Sequence, residues 1–259
     1  LAARLSEIGA GDAAEAGDKA AALGEVANRV RLPVPEGFVL TTEAYRQFCG
    51  IPMWRAIRDA LGDLDVTDPE ALRTISGELS EMAMACPVPR SLEVAITERA
   101  HLLDPAGQGL AVRSSAVGEG GEHTYAGQFL SLLNVPASEA VEAYKRVVAA
   151  RFSEQAIFYR LSTGLTEVET PMAVLVLPMI RARAAGVMYT RDPSDPRSGS
   201  LWITATRGLG PEVASGGSSA DLFVVSRARP HPVVESHLVS KDEELVPDAA
   251  GGIARRAVA

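Results

Sequence analysis

The first hundred residues carry apolar side chains at helical spacing. One helical face is formed by Ala20, Leu23, Ala27 and Val30, which recur about every 3.6 residues. A further helix start is indicated at Asp68-Pro69-Glu70, where a capping carboxylate precedes a first-turn proline and an acid at the positive end of the helix dipole. The pattern predicts that residues 18–104 are mainly helical.

The pattern changes in the middle of the chain. Residues 110–112 and 129–135 predict two strands on either side of a glycine-rich loop at 118–127. A long amphipathic helix is predicted from about residue 138 to 163, and Gly164 can close it.

The last third of the chain is rich in strand patterns. Predicted strands cover residues 173–177, 186–190, 201–206 and 222–226. Helices followed by strands favour an α+β protein of two or more lobes. We place a helix-rich N-terminal lobe at residues 1–170 and a strand-rich C-terminal lobe at 171–259, and ligands commonly bind in the cleft between such lobes.

Composition and charge exclude several classes of function. The net charge of −8 disfavours nonspecific binding to nucleic acid. No apolar stretch approaches the roughly 20 residues of a membrane span, and the N-terminus has no apolar secretory core. Cys49 and Cys86 suit a reducing compartment and are interpreted as small buried hydrophobic residues. We therefore expect a cytoplasmic protein that binds neither nucleic acid nor a membrane.

The sharpest candidate for chemistry is Arg113, which directly follows a predicted strand and precedes Ser114 and Ser115. A guanidinium group presents a rigid fork of donors that suits phosphate oxygens. The glycines of loop 118–127 allow backbone N–H groups to converge on an anion. A solvated hairpin loop with a structural arginine remains the alternative.

Lys19 is a second candidate because it lies in the first turn of a predicted helix. A lysine there opposes the helix dipole, and an anion held by both the lysine and the helix N-terminus removes that cost. An exposed lysine on a solvated helix face is the alternative interpretation.

Other catalytic arrangements have weaker support. The histidines show no metal-ligand spacing, and no P-loop or dinucleotide-binding glycine motif is present. A triad can be assembled from Ser114, His123 and Asp192, although neither Ser114 nor Ser115 has the context of a nucleophile elbow. A hydrolase that uses one of these serines stays open as an alternative function.

Several short segments form an ordered set between residues 17 and 226. They are 17–25, 34–38, 112–119, 125–129, 133–135, 185–193 and 208–210, with Asp221 downstream. The set resembles the nucleotide-binding domain of the family that includes phosphoenolpyruvate synthase, pyruvate phosphate dikinase and rifampicin phosphotransferase. The stretch at 112–119, which contains Arg113, is the most specific part of the resemblance.

The resemblance implies an ATP-grasp-like fold that binds ATP between two lobes. It further implies transfer of a phosphoryl group to a histidine on a separate swivelling domain, and from there to an acceptor. The activity first implied is that of phosphoenolpyruvate synthase, which converts pyruvate, ATP and water to phosphoenolpyruvate, AMP and phosphate. The implied partners are ATP and the phosphohistidine and acceptor-binding domains of the parent protein.

The resemblance also assigns roles to individual residues. Lys19 and Arg113 would bind the ATP phosphates and act in catalysis. The backbone of Gly127 and the side chain of Ser131 would line the loop that covers the phosphates. The hinge against adenine would be formed by Leu177, Pro178 and Met179.

This chain departs from the family pattern at two motifs. Leu177 stands where the hinge usually has glutamine, and Pro178 removes a backbone donor, which leaves the Leu177 carbonyl and the Met179 N–H. Pro211 follows the Gly-Leu-Gly motif where glutamate is usual, and Glu212 comes one position later.

Mg²⁺ is an implied cofactor whose family ligands, an acidic pair, lie beyond residue 259. We therefore expect no metal ligands in this chain, a truncated C-terminal lobe and little ATP turnover by the chain alone, because Mg²⁺ needs hard oxygen ligands. Asp242, Glu243 and Glu244 are interpreted as a solvated charge run. The alternative functions are a non-catalytic nucleotide-sensing or interaction module, and a phosphotransferase acting on another small molecule such as rifampicin.

Overall fold

The chain is divided into two compact structural units, with the boundary after Met179. The computed structural model describes residues 1–118, 130–165, 170–195, 197–214, 216 and 220–258, and the units are Leu1–Met179 and Ile180–Ala259. Strands of the first unit are β1 (Ala2–Arg4), β2 (Phe38–Leu40), β3 (Leu110–Ala116), β4 (Ser131–Val135) and β5 (Met172–Pro178). Its helices are α1 (Ala13–Glu25), α2 (Thr42–Gly62), α3 (Pro69–Ala85), α4 (Arg90–Leu103), α5 (Ala140–Ala149) and α6 (Glu154–Ser162).

The first unit is built on an antiparallel sheet with the strand order β1-β2-β5-β3-β4. The central strand β5 pairs with β2 on one side and with β3 on the other. Its residues Met172 to Leu177 are all buried. An unbroken apolar run is the pattern expected of a strand that is covered on both faces.

The two faces of this sheet are covered by different helices. Side chains of Val112, Val174 and Val176 join residues of α2 to α6 in one core cluster. On the other face α1 packs against β3 and β5, where Ala20 and Leu175 are buried outside that cluster. Strand residues two apart share a face, so the alternation along β3 and β5 assigns each side chain to the large core or to α1.

A kink at Gly17 divides α1. Gly17 has φ of 73° and ψ of 162°, and the helix resumes with Asp18. A Cβ atom at Gly17 would overlap the carbonyl oxygen of Ser115 in β3. Glycine is therefore required here both by the positive φ and by the close approach of the β3 backbone.

The helix cap at Asp68 is as the sequence predicts, but one predicted helix is divided in two. Asp68 accepts hydrogen bonds from the Glu70 and Ala71 N–H groups, at 2.9 and 3.2 Å, as its position before Pro69 predicts. The single helix predicted over 138–163 is instead divided into α5 and α6. Ser153 takes extended backbone angles between them and caps the new helix, which redirects the chain while the apolar face continues.

The second unit is mainly antiparallel sheet. A four-stranded sheet has the order β6 (Ala184–Tyr189), β7 (Ser200–Arg207), β8 (Asp221–Ser226) and β9 (Val233–His237), and one helical turn, α7, covers Pro211–Ala214. A hairpin of β10 (Glu243–Pro247) and β11 (Ile253–Ala257) follows. The Leu209 N–H donates to the Leu245 carbonyl at 2.8 Å, which ties the Gly-Leu-Gly segment to this hairpin.

These units correspond to the mixed α+β class that the sequence predicts, with a helix-rich first part and a strand-rich second part. The division after Met179 lies beyond β5, whereas the sequence places the lobe boundary before it, near residue 170. The reason is that β5 hydrogen-bonds inside the first sheet, which sequence character alone does not reveal. Within the described ranges, no helix combines the length and the apolar character needed to cross a membrane.

Asp221 and Lys241 form an ion pair in the second unit. The Lys241 ammonium donates to the Asp221 carboxylate and to the Val239 carbonyl, and the Val239 N–H donates to the same carboxylate at 2.9 Å. The Lys241 side chain is only 7% exposed. Burial raises the pKa of Asp221, but the hydrogen bonds from Lys241 and Val239 and the charges of Lys241 and Arg207 outweigh it, so the pKa lies below its ordinary value.

Gly17→Ala should lower the free energy of unfolding by about 2–4 kcal/mol, because it combines an unfavourable positive φ with overpacking against Ser115. Gly77→Ala is the control. Gly77 lies inside α3 with open space around it, so the substitution should stabilise by about 0.5–1 kcal/mol. Urea unfolding followed by circular dichroism measures both changes, and equal effects would contradict the assigned contact.

Asp221→Asn should lower the free energy of unfolding at neutral pH by about 1–3 kcal/mol, since it leaves the Lys241 ammonium without its carboxylate. A carboxyl group with a depressed folded pKa stabilises above its unfolded pKa, about 3.9, and loses that contribution as the pH falls through the folded pKa. The difference between variant and wild type should therefore shrink below about pH 4 in urea titrations. A difference that is constant down to about pH 2 would argue against this pairing.

Candidate functional site

Arg113 projects from the face of the first sheet that α1 covers. It is half-buried in the middle of β3, on the same face as Ser115 two residues later. Its Nε atom is buried and makes no hydrogen bond within the described part of the chain. A buried donor without an acceptor is costly, so this guanidinium group is suited to an anionic ligand that supplies one.

Ser131 lies directly opposite Arg113 on the neighbouring strand β4. The Ser114 N–H donates to the Leu130 carbonyl at 3.3 Å, which makes Arg113 and Ser131 a non-hydrogen-bonded pair of the antiparallel ladder. Side chains of such pairs share a face and lie closer together than those of hydrogen-bonded pairs. The register thus puts Ser131, which is exposed, directly opposite Arg113 on the same face of the sheet.

Lys19 belongs to a helix whose first turn packs against this face of the sheet. The kink places Gly17 against the backbone of Ser115, and the Ala20 N–H donates to the Ser115 Oγ at 3.1 Å. Lys19, which is half-buried, lies between these two contact residues in the first turn after the kink. The segments that carry Lys19 and Arg113 are therefore brought together on one face, although they are far apart in the sequence.

Of the three residues predicted to form the hinge, Leu177 is on the face that carries Arg113. It pairs with Ala111, its side chain is buried, and a Cβ at Gly37 would come within 2.6 Å of its Cδ2 atom. Pro178 pairs with Leu110, so its ring is on the opposite face.

The Met179 N–H donates to the Gly109 carbonyl at 2.9 Å. The Val117 N–H donates to the Pro171 carbonyl at 3.2 Å. Because hydrogen-bonded and non-hydrogen-bonded pairs alternate in an antiparallel ladder, these two bonds show which opposing residues of β3 and β5 are hydrogen-bonded. Leu177 and Ala111 are then a hydrogen-bonded pair that exchanges both bonds. The sequence leaves the Leu177 carbonyl and the Met179 N–H for adenine, but both groups already have partners within the sheet.

Gly127, a predicted phosphate-loop residue, and His123, a member of the alternative triad, lie outside the described residues. The two serines are well described. Ser114 and Ser115 are both 0% exposed, and the Ser115 hydroxyl already accepts the Ala20 N–H. A catalytic serine must reach its substrate, so this arrangement disfavours the hydrolase alternative.

No group of three or more His, Cys, Asp or Glu side chains that could hold a metal ion is found among the residues that the structure describes. The acids near the C-terminus are engaged in the β10–β11 hairpin instead, where Glu243 accepts from Arg255 and Glu244 from Arg256. These described hairpin residues do not fit a magnesium site.

The contact between α1 and Ser115 was not predicted from the sequence. A glycine immediately before a helix, at Gly17, was the available signal, since that position usually has a capping side chain. The partner strand could not be identified, because 95 residues separate Ala20 from Ser115.

Comparison with known proteins gives a consistent assignment. The family model for the pyruvate phosphate dikinase AMP/ATP-binding domain matches residues 13–258. A probable phosphoenolpyruvate synthase of Methanocaldococcus jannaschii is 35% identical over 95% of this chain and 21% of its own length. A rifampicin phosphotransferase of Streptomyces sviceus is 34% identical over 96% of this chain and 28% of its own length.

A phosphoenolpyruvate synthase of Synechocystis is 31% identical, over 95% of this chain and 33% of its own length. The chain thus spans about a fifth to a third of the length of these relatives. Because the family model covers nearly all of the sequence, the chain belongs to the family of the pyruvate phosphate dikinase AMP/ATP-binding domain.

Proposed function

We propose that Lys19 and Arg113 jointly hold the phosphate groups of ATP and that this domain donates a phosphoryl group to a histidine elsewhere in the parent protein. The observation that carries the proposal is the contact of Gly17 and Ala20 with Ser115. It puts the start of the Lys19 helix on the sheet face that carries Arg113.

Phosphoryl transfer requires mainly positioning of the phosphates and neutralisation of their charge. An ammonium group at a helix N-terminus adds its charge to the positive end of the helix dipole. A phosphate oxygen at the Arg113 Nε would give that buried donor an acceptor. The Ser131 hydroxyl, opposite Arg113, offers a further donor to the same phosphates.

The base would lie against the hinge formed by Leu177, Pro178 and Met179. Because the Met179 N–H already donates to Gly109, the Leu177 side chain offers an apolar contact in place of the hydrogen bonds of a glutamine. In this proposal the phosphates supply most of the polar recognition of the nucleotide.

The parent reaction that we propose is that of a phosphoenolpyruvate synthase, in which pyruvate, ATP and water give phosphoenolpyruvate, AMP and phosphate. Two of the relatives described above have this name. A rifampicin phosphotransferase is the second candidate, because a relative with that name is 34% identical over nearly the whole chain. Both candidates share the nucleotide site and differ in the acceptor.

Lys19→Met and Arg113→Met should each weaken ATP binding by about 10- to 100-fold, the loss expected for one hydrogen bond to a charged group. AMP binding should weaken less, since AMP lacks the two outer phosphates. Isothermal titration calorimetry with the 259-residue chain measures both.

Lys145→Met is the matched control for Lys19→Met. Lys145 is also a half-buried lysine on a helix, but α5 belongs to the core on the opposite face of the sheet. The ATP affinity of the Lys145→Met variant should stay within about twofold of wild type. Wild-type affinity for ATP in both the Lys19 and Arg113 variants would remove the basis of the proposal.

The acceptor is tested with the protein encoded by the complete gene. Pyruvate should stimulate its consumption of ATP, and Lys19→Met in that protein should reduce the stimulated rate by about 10-fold or more. ATP consumption stimulated by rifampicin and not by pyruvate would favour the second candidate. Nucleotide binding without stimulation by either compound would favour a nucleotide-sensing module.

A further inference from the structure

We propose that Ser115 is a positioning residue that caps the Lys19 helix from the neighbouring strand and thereby sets where Lys19 meets the nucleotide. The inference rests on the proposed function for its effect on ATP. The cap itself is a property of the fold and can be measured separately.

The hydrogen-bond pattern is that of a helix N-cap supplied by another part of the chain. Gly17 has non-helical backbone angles and precedes the helical residues Asp18, Lys19 and Ala20, so Gly17 is the N-cap and Ala20 the third helical residue. A serine or aspartate at an N-cap accepts a hydrogen bond from the N–H of that third residue. Here the Ala20 N–H donates to the Ser115 Oγ at 3.1 Å.

Gly17 cannot supply this cap and cannot be replaced by a residue that would. A Cβ atom there would overlap the backbone of Ser115. The close approach of β3 therefore excludes a capping side chain at Gly17. The same approach brings the Ser115 hydroxyl to the Ala20 N–H, where it acts as the cap.

The cap is fully enclosed. Ser115 and Ala20 are both 0% exposed, so water cannot replace the hydroxyl if it is removed. The first helical turn would then have to shift, or leave the Ala20 N–H without an acceptor. Either change acts on Lys19, which immediately precedes Ala20.

Ser115 also determines the placement of Lys19 relative to Arg113. Both Ser115 and Arg113 belong to β3, two residues apart on one face, and β3 is held by β5 on one side and by β4 on the other. The Ser115 hydroxyl thus fixes the Lys19 helix to the same strand that carries the second phosphate ligand. Pre-set geometry of this kind matters because small displacements of binding groups weaken charge stabilisation.

Ser114→Ala and Ser115→Ala provide a closely matched comparison. The two serines are adjacent and equally buried, but the Ser114 Oγ makes no hydrogen bond within the described ranges. Ser115→Ala should weaken ATP binding about fivefold or more, and Ser114→Ala should change it less than about twofold. Amide hydrogen exchange at Ala20 should accelerate in Ser115→Ala only.

A double-mutant cycle distinguishes positioning from a general loss of stability. If Ser115 acts through Lys19, Ser115→Ala should weaken ATP binding in the wild-type background and have little further effect beside Lys19→Met. Additive effects in the cycle, or unchanged ATP affinity in Ser115→Ala, would overturn the proposal. If Ser115→Ala does not fold, Ser115→Cys, with a similar volume and a poorer acceptor, makes the same comparison.

The outcomes also separate this inference from the proposed function. Absence of ATP binding by the wild-type protein would refute the proposed function and, with it, the role of Ser115 in nucleotide binding. Unchanged Ala20 exchange in Ser115→Ala would refute the cap alone and leave Lys19 and Arg113 as phosphate ligands.

Discussion

The close approach of Gly17 to Ser115 is the constraint on which the candidate site depends. It forces α1 to restart at Asp18 against the backbone of β3, and it determines which side of the sheet the first helical turn meets. Lys19 and Arg113 belong to segments that share no local sequence relation. Their common location follows from this single long-range contact together with the alternation of side chains along β3.

The sheet makes that contact stable because its central strands are held on every side. In β5, neighbouring strands occupy both edges and helices cover both faces, which explains why residues 172–177 are apolar without alternation. Arg113 thus belongs to a strand that is paired on both edges, β3, whereas Ser131 belongs to the edge strand β4. Binding groups held in this way lose little conformational entropy when a ligand arrives.

The sequence predicted those elements whose signals are local. The buried strand β5, the strand β3 and the Asp68 cap follow from apolar runs and cap residues within a few positions. The break at Ser153 was not predicted, because the apolar face of the helix continues across it. Strands β9 and β11 have few buried side chains and so lack the alternation that marks a strand. Lys19 and Arg113 could be selected only through the order of motifs, since each has an ordinary local explanation.

The hinge shows how a non-local hydrogen bond changes the meaning of a motif. From the sequence, Leu177 and Met179 retain the main-chain groups that could bind a base, and Leu177 loses only a side-chain amide. In the folded chain the register between β3 and β5 pairs Leu177 with Ala111 and gives the Met179 N–H to Gly109. In the proposed site, an apolar hinge whose main-chain groups are paired would contribute contact area more than selectivity. Discrimination among nucleotides would then depend on the number of phosphates that reach the cationic groups of α1 and β3, which makes the geometry at Ser115 more consequential than the hinge sequence.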